Sequence, residues 1–317
     1  MNYRYLPSLN RDLSRLVLGT MVFDVRTLET TYEIMDEWLV LGGNIVDCAH
    51  VYSEGNSERA LGRWFDDRGR RGDVVVLTKG GCQNVDRKRV TPEDVMCDLR
   101  DSLARLKTDA VDLYLLHRDD PSLPVGPIMD TLNEHKQAGR ILAFGASNWT
   151  TTRLEEANAY AAQHGLDGFA CSSSHLSLAM QNESAWPDCV SAGDPASRAW
   201  YERTQLPLFP WSSQAWGFFT GRFQPGKRDD PDVVRVYYSE DNWERLRRAQ
   251  DLACSKGCTA NQVALAWVLH QPFPTYPIIG PRSVEELHSS VAALDVALSP
   301  DEIRWLNLES EAAPSVA

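Results

Sequence analysis

The sequence lacks a long hydrophobic segment, and no run of about eighteen apolar residues that would indicate a transmembrane helix occurs among its 317 residues. The first fifteen residues, MNYRYLPSLNRDLSR, carry polar and charged side chains where a secretion signal has its apolar core. We therefore expect a cytoplasmic protein without a membrane partner.

An excess of positive charge is also missing, with 32 Lys and Arg against 44 Asp and Glu and a formal net charge of −12. Nucleic-acid binding needs a basic surface, so we expect no nucleic-acid partner. Paired cysteines are missing too, because the seven cysteines are scattered and form no CxxC motif. Cys254 and Cys258 lie four residues apart without further ligands nearby, so we expect no metal site and mostly buried, reduced thiols.

What the sequence does contain is an alternation of strand-like and helix-like segments along its length. Eight segments are predicted as strands: RLVLGT (15–20), NIVDCA (44–49), DVVVLTKG (73–80), AVDLYLLH (110–117), ILAFGAS (141–147), GFACSSSH (168–175), LPLFPWSS (206–213) and TYPIIG (275–280). Without a linker-like break, this order predicts an α/β fold, one (β/α)8 barrel domain over residues 1–317, with a short N-terminal hairpin-like segment and extra C-terminal helices. A doubly wound sheet would need GxGxxG after the first strand, and LGTMVF is not one.

Two helix starts are predicted from capping residues. Asn56 is expected to cap a helix near residues 57–67. Thr91, followed by Pro92, is expected to cap a helix that runs to about residue 107.

Four polar residues fall at the C-terminal ends of three neighbouring strands: Asp47, Tyr52, Lys79 and His117. In a barrel these ends share one mouth, where the chemistry occurs. Lys79 near the Tyr52 phenol is expected to lower its pKa, with Asp47 holding Lys79 charged. Tyr52 can then protonate a carbonyl oxygen while His117 orients the carbonyl, and the hydride comes from a cofactor.

The segments DCAHVY, LTKG, LLHRDD, FGASNW and YPIIGPRS, in this order, resemble the aldo-keto reductase superfamily over essentially the whole chain. The resemblance implies a (β/α)8 barrel that reduces carbonyls with NADPH or NADH, and its Asp, Tyr, Lys and His tetrad matches the four residues above. It assigns Ser147 and Asn148 to the nicotinamide carboxamide and Trp211 to the ring. The other residues it assigns to the cofactor are Thr20, Met21, Asp47, Ser172, Ser212, Ser213, Gln214, Arg222, Gly280, Arg282, Glu286 and Ser290.

The segment GPRSVEEL indicates the cofactor by itself. Ser283 and Glu286 have the spacing of a capping box, and a helix N-terminus next to Arg282 suits the 2′-phosphate of NADP. Relatives often have Gln at the position of Glu286 and Asn at that of Ser290. The Glu286 carboxylate can repel the phosphate, bond the ribose of NAD or simply serve the cap, so NADPH is expected and NADH remains an alternative.

Other positions depart from the family pattern or concern the substrate. Ser172 and His175 stand where relatives have a Gln and an aromatic residue, so Ser172 is expected to reach the carboxamide by a shorter contact. Four aromatic residues follow the strands and suit a wall for sugars or aryl aldehydes, although loop packing explains them equally well: Phe23, Trp149, Trp186 and Trp216. The insertions 176–196 and 214–238 are expected to cover the pocket.

Two other functions are compatible with the sequence. A cofactor-bound regulatory protein, as the potassium-channel β-subunits are, would keep the same tetrad and would need an exposed apolar patch. A barrel glycosidase with paired carboxylates would leave Lys79 and Tyr52 without a role. We therefore expect an enzyme that reduces a small carbonyl compound, of unknown oligomeric state.

Overall fold

The computed structural model describes residues 1–314. Its parallel sheet contains seven strands, in the spatial order β8-β7-β6-β5-β4-β3-β9. Their ranges are β3 Val17–Gly19, β4 Ile45–Asp47, β5 Val75–Gly80, β6 Val111–Leu116, β7 Ile141–Ser147, β8 Ser172–Ser173 and β9 Ile278–Ile279. Before them, β1 (Tyr3–Leu6) and β2 (Arg11–Ser14) form an antiparallel hairpin. The predicted (β/α)8 barrel and its N-terminal hairpin are confirmed. The prediction of one domain includes residues 315–317, which lie outside the described residues.

The barrel closes through the segment around Leu208. Leu208 forms parallel bridges to Ser172 on one side and to Thr275 on the other. The Phe209 N–H donates to the Ser172 carbonyl at 2.8 Å, and the Tyr276 N–H donates to the Leu208 carbonyl at 2.9 Å. This segment lies within the predicted seventh strand (206–213) and occupies the seventh strand position of the barrel.

The last strands are shorter than predicted because prolines interrupt them. Pro207 and Pro210 flank Leu208, while Pro274 and Pro277 precede β9. A proline has no N–H to donate, so a continuous ladder cannot form at these positions. Their carbonyls still accept, as when Pro277 receives the Val17 N–H at 2.9 Å.

Helices surround the barrel and complete the alternation. Those that follow the strands up to β8 are α1 Leu28–Val40, α2 Asn56–Arg68, α3 Pro92–Leu106, α4 Val125–Gln137, α5 Thr151–His164 and α6 Pro195–Thr204. The later ones are α7 Pro231–Tyr237, α8 Glu240–Lys256, α9 Ala260–Leu269, α10 Val284–Val291 and α11 Pro300–Leu306. Within residues 1–314, no helix is both long and apolar enough to cross a membrane.

The two capping predictions have different outcomes. The Thr91 side chain accepts the Asp94 N–H, so its predicted cap of α3 is confirmed. The prediction for Asn56 is wrong, because Asn56 is already helical and the cap position is Gly55 at φ 83°. A left-handed residue there is a feature of the tight turn after Tyr52, and glycine takes it without strain.

Strand alternation divides the core into two layers. Side chains that point into the barrel form the inner layer, and Leu6 and Leu13 of the hairpin join it. The inner layer includes Ile45, Val75, Leu77, Leu113, Leu115, Ala143 and Cys171. Intervening residues such as Val46, Val74 and Val76 belong to the outer layer, between barrel and helices. The period of two therefore decides which residues can reach the barrel axis.

The seven cysteines are free thiols, as expected. The expectation that most are buried is wrong, because only Cys48 and Cys171 are buried and Cys254 is exposed.

Candidate active site

Three of the four predicted catalytic residues extend the inward-facing rows of their strands. Asp47 comes two positions after Ile45, Lys79 two after Leu77, and His117 two after Leu115. Because β4, β5 and β6 are neighbours and parallel, these side chains meet at the C-terminal mouth of the barrel. All three are buried.

Lys79 joins this group to Tyr52. Its ammonium lies 2.5 Å from the Asp47 Oδ1, donates to the Tyr52 hydroxyl at 3.1 Å and donates to the Cys48 carbonyl at 2.9 Å. These contacts match the three donors of an ammonium group. The His117 ring lies edge-on to the Tyr52 ring, with 5.8 Å between centroids, and its Nδ1 has no hydrogen-bond partner within residues 1–314. The four predicted residues are thus in one place.

Burial dominates the electrostatics of this group. It raises the pKa of Tyr52 to about 12, even though the Lys79 charge opposes the rise. The expectation that Lys79 brings this pKa below its ordinary value therefore needs correction, because loss of solvation outweighs the charge. Burial also raises the pKa of Asp47. Burial alone would lower the pKa of Lys79, but the charges of Asp47 and Tyr52 raise it above its ordinary value.

His117 is held neutral. Burial, and then the positive charges of Lys79 and Arg118, keep its pKa well below the ordinary value. A neutral imidazole can donate one hydrogen bond without adding a second cation beside Lys79.

Tyr52 is held by a turn that the sequence motifs did not reveal. Ser53, Glu54 and Gly55 all have positive φ, and the Arg105 guanidinium from α3 donates to the His50 carbonyl at 2.8 Å. A Cβ on Gly55 would lie 2.6 Å from this guanidinium. In the sequence, the stretch SEGN after Tyr52 indicates a turn but not its contact with Arg105.

The same arginine is tied to a buried carboxylate. Arg105 Nη1 lies 3.2 Å from Glu58, which also accepts the Thr78 hydroxyl at 2.7 Å. Arg105 therefore links the turn of Tyr52 to α2 and to the strand that carries Lys79.

Ser147 and Asn148 lie at the end of β7, on the same mouth. The Ser147 hydroxyl donates to the Ser173 carbonyl at 2.7 Å, while Asn148 Nδ2 donates to the His117 carbonyl at 3.2 Å. Asn148 has φ 61°, and its Oδ1 accepts the Val190 N–H at 3.3 Å. Asn148 thus has a strained, left-handed backbone and links the ends of β6 and β7 to the insertion 176–196. Strained backbone of this kind often occurs at functional sites.

The two residues predicted after β3 differ in accessibility. The Thr20 hydroxyl is buried, donates to the Asp47 carbonyl at 3.0 Å and lies 2.8 Å from the Ser57 hydroxyl. Met21 is exposed at the rim, and its carbonyl accepts the Ser53 hydroxyl at 3.2 Å. Of Thr20 and Met21, only Met21 therefore has a side chain that is accessible to a ligand.

The loop after Leu208 has the backbone of an anion site. Ser212, Ala215, Trp216 and Gly217 all have positive φ. Concave runs of backbone N–H groups with alternating helical hands bind phosphates in many proteins. Arg222 donates to the Trp216 carbonyl at 2.6 Å, so its charge lies beside this loop. A pyrophosphate fits such a loop.

Other residues of this loop take part in local contacts. The Ser213 hydroxyl donates to the Pro210 carbonyl at 2.8 Å, and Trp216 Nε1 donates to the Ser212 hydroxyl at 2.9 Å. Trp211 Nε1 is buried without a hydrogen-bond partner in the described part of the chain. An unpaired indole N–H is costly, which is consistent with a ligand group completing this position.

The start of α10 joins the rim of this loop. Gln214 Nε2 donates to the Ser290 hydroxyl at 3.2 Å, so two residues predicted to bind the cofactor are in contact. The capping box is only half formed, because Ser283 accepts the Glu286 N–H but the Glu286 carboxylate accepts the Arg282 N–H at 2.8 Å. A carboxylate thus occupies the helix N-terminus where the 2′-phosphate was expected, next to Gly280 and the exposed Arg282 side chain.

The expectation for Ser172 needs correction. Cys171 points into the barrel, so Ser172 points outward, and its hydroxyl lies 2.7 Å from the Tyr201 hydroxyl of α6. The inward neighbour at this strand end is Ser173. His175, the second departure, is buried against Trp211, with 5.1 Å between ring centroids.

Two of the aromatic residues expected in the substrate wall also need correction. Phe23 and Trp149 are 2% and 1% exposed and belong to the outer core layer. Trp149 packs edge-on against Phe169, with 5.2 Å between centroids. The side chains of Phe23 and Trp149 therefore pack in the core, in agreement with the loop-packing alternative.

Tryptophans from the two insertions remain at the mouth. Trp186 of insertion 176–196 and Trp216 of insertion 214–238 lie 5.3 Å apart between ring centroids, and Trp186 lies 5.6 Å from Trp211. Trp186 is exposed. The two insertions therefore meet near the ring that the nicotinamide was expected to contact.

Comparison with known proteins agrees with this geometry. Residues 15–307 match the model of the Aldo/keto reductase family. The chain belongs to the aldo/keto reductase family. It is similar to the uncharacterized oxidoreductase YrpG of Bacillus subtilis strain 168, with 31% identity over 97% of this chain and 95% of that protein.

Two fungal members of the aldo/keto reductase family are also similar. Norsolorinic acid reductase stcV of Emericella nidulans is 29% identical over 92% of this chain and 76% of its own length. Aryl-alcohol dehydrogenase [NADP(+)] of Phanerodontia chrysosporium is 25% identical over 88% of this chain and 75% of its own length. The family and these relatives make the protein an oxidoreductase and support carbonyl reduction in general terms.

Proposed function

We propose that this protein reduces an aldehyde or ketone to an alcohol with NADPH, and that Tyr52 is the general acid. The observation that carries the proposal is the ion pair of Asp47 with Lys79 together with the hydrogen bond from Lys79 to the Tyr52 hydroxyl, with neutral His117 beside them. Lone buried ion pairs are often structural, but this one ends on a phenol at a barrel mouth.

The chain's own residues divide the proton chemistry between them. His117 donates a hydrogen bond to the substrate carbonyl oxygen and orients it. Tyr52 gives its phenolic proton to that oxygen, and the resulting phenolate is stabilised by the adjacent Lys79 ammonium. Asp47 keeps Lys79 charged and aimed at Tyr52. A nicotinamide cofactor, when bound, supplies the hydride that the carbonyl carbon receives.

The cofactor is assigned to one side of the mouth. We propose that Ser147 and Asn148 hold the carboxamide, that Trp211 contacts the ring, and that the loop from Ser212 to Gln214 with Arg222 holds the pyrophosphate. The run of positive φ values and the unpaired Trp211 indole N–H support this fit. Arg282 at the start of α10 favours NADPH, while the Glu286 carboxylate on the same N-terminus keeps NADH as an alternative.

The substrate is proposed to be a small carbonyl compound, and the exposed Trp186 with Trp216 suits a flat or sugar-like molecule. The name of the Phanerodontia chrysosporium relative refers to aryl alcohols, which makes an aryl aldehyde the first probe. The cytoplasmic location and the absence of a nucleic-acid partner stay predictions.

The test is NADPH absorbance followed with purified protein and 4-nitrobenzaldehyde, and then repeated with NADH. A falling signal that depends on both aldehyde and protein supports the proposal. If neither this aldehyde nor a panel of sugar and aliphatic carbonyls is reduced while NADPH quenches tryptophan fluorescence, the proposal fails. A cofactor-bound regulatory protein then becomes the better explanation.

A further inference from the structure

Arg118, the residue after His117, is a buried cation without a counter-charge. Three arginines within residues 1–314 are at least nine-tenths buried: Arg118 at 9% exposure, Arg153 at 8% and Arg248 at 5%. Arg153 lies 3.2 Å from Asp119, and Arg248 lies 2.6 Å from Glu244. No carboxylate of the described residues lies within 4.0 Å of Arg118. Burying a guanidinium without a partner is costly, so its presence calls for a ligand.

The hydrogen bonds of Arg118 leave one edge of its guanidinium without a partner among the described residues. Nη1 donates to the His117 carbonyl at 2.9 Å, and Nε has no partner among residues 1–314. The edge formed by Nε and Nη2 is the one that pairs with the two oxygens of a carboxylate. The backbone is fixed, since Trp149 Nε1 donates to the Arg118 carbonyl at 3.1 Å.

Two cysteines at the barrel mouth lie near the Arg118 guanidinium, and neither carries a negative charge that could balance it. The field of Arg118 acts on Cys82, in the loop after β5, and on Cys189, in insertion 176–196, and burial raises the pKa of both thiols. They are therefore neutral and cannot balance the guanidinium.

Carboxylates in the same region have cations of their own. Asp98 pairs with Arg89, Asp188 lies 3.5 Å from Lys88, and Asp119 pairs with Arg153. In a chain with a net charge of −12, an unpaired cation beside the catalytic histidine is a specific feature and does not belong to a generally basic surface.

We propose that Arg118 binds a carboxylate of the substrate, so that the preferred substrates are aldehydes or ketones that carry a carboxylate group. This inference rests on the proposed reductase function. The Arg118 guanidinium donates to the His117 carbonyl at 2.9 Å, and its charge acts on the His117 ring and on Cys189 of the insertion over the mouth. A carboxylate held by Arg118 would therefore keep the carbonyl of the same molecule near His117.

The test compares charged and neutral substrates of the same shape. The kcat and KM values are measured for 3- and 4-carboxybenzaldehyde and for 3- and 4-formylbenzamide. These pairs exchange a carboxylate for an uncharged amide at two distances from the aldehyde. We expect kcat/KM to be higher for at least one acid than for its amide, by roughly 10-fold or more, as a charged hydrogen bond provides.

Arg118→Gln is then compared with the wild type and with Arg118→Lys. We expect Arg118→Gln to lose roughly 10- to 100-fold in kcat/KM for the acid, mainly through KM, and to keep the amide within about threefold. Arg118→Lys should recover part of the loss, since it restores the charge without the fork. Arg100→Gln removes an exposed positive charge from α3 and should leave both substrates unchanged.

Two outcomes overturn the inference: equal values for acid and amide in the wild type, or an equal loss for both in Arg118→Gln. Binding of 4-carboxybenzaldehyde measured by calorimetry separates it from the proposed function. Binding that Arg118→Gln abolishes, without turnover of any aldehyde, contradicts the reductase and keeps the carboxylate site. Turnover of the amides without binding of the acid supports the reductase and contradicts the carboxylate site.

Discussion

The Lys79 ammonium donates a hydrogen bond to the Tyr52 hydroxyl at 3.1 Å, and the Lys79 side chain is buried while that of Tyr52 is partly buried. The contact is made between β5 and the turn after β4, so it requires that these two strands pair in the sheet. It is the reason why Tyr52, among the ten tyrosines of the chain, is the one we propose as the proton donor. The predictions below test this contact and its surroundings.

Tyr52→Phe removes the phenolic proton and keeps the ring. We expect kcat to fall by roughly 10²–10⁴-fold, the usual contribution of a positioned general acid. The measurement is NADPH oxidation with 4-nitrobenzaldehyde, and NADPH binding followed by tryptophan fluorescence should be retained. Tyr160→Phe, at a partly buried tyrosine on α5 outside the site, is the matched control and should be fully active. Full activity of Tyr52→Phe would remove the proposed mechanism.

The pH dependence should differ between the two directions of the reaction. With a Tyr52 pKa of about 12, the phenol keeps its proton at neutral pH, and His117 stays neutral because its pKa lies well below the ordinary value. Reduction uses the protonated phenol, so its kcat/KM should be flat between about pH 6 and 9. Alcohol oxidation uses the phenolate, so its kcat/KM should rise about tenfold per pH unit over that range. Reduction that fell through neutral pH would mean that Lys79, and not burial, controls the phenol.

Glu286→Gln tests the carboxylate at the start of α10. Its oxygen accepts the Arg282 N–H, where a 2′-phosphate is expected to bind. Removal of the negative charge should raise the NADPH over NADH ratio of kcat/KM by roughly fivefold, and the NADPH affinity should increase in parallel. Glu285→Gln, next to it in the first turn, is the control and should change neither ratio nor affinity. A loss of NADH affinity with NADPH unchanged would instead assign Glu286 to the ribose of NAD.

Gly62→Ala tests the close contact between α2 and α3 that supports the Tyr52 turn. A Cβ at Gly62 would lie 2.2 Å from the Arg105 carbonyl, so the helices would have to separate. We expect a loss of about 1–3 kcal/mol in the free energy of unfolding, the usual cost of overpacking, measured by urea denaturation. Gly72→Ala is the matched control, because nothing lies within 4 Å of its added Cβ. Equal stability of the two variants would show that α2 and α3 shift at little cost.

Local patterns predicted the strands that carry the site. Because strand side chains alternate with a period of two, apolar residues at 45, 77 and 115 already imply that residues 47, 79 and 117 share their direction. Thr91 with Pro92 likewise predicted its cap from local hydrogen bonding. Strand alternation and helix caps depend on a few neighbouring residues, which is why they can be predicted from the sequence.

The misplaced residues depend on contacts between distant segments. Ser172 was assigned one position away from the inward row, since three consecutive serines show no apolar period. Phe23 and Trp149 were assigned to the mouth because they follow strands, but outer-layer neighbours bury them. Asn56 was expected as the cap, but the left-handed Gly55, which lies against Arg105 of α3, takes the cap position instead.

The sequence by itself determined the alternation of strands and helices, the four residue types of the site and their order along the chain. The tertiary structure alone decided the electrostatic state of the site. Burial raises the pKa of Tyr52 above that of a free phenol, and the packing buries Arg118. The loss of water around each group depends on everything packed around it and on no single segment of the chain.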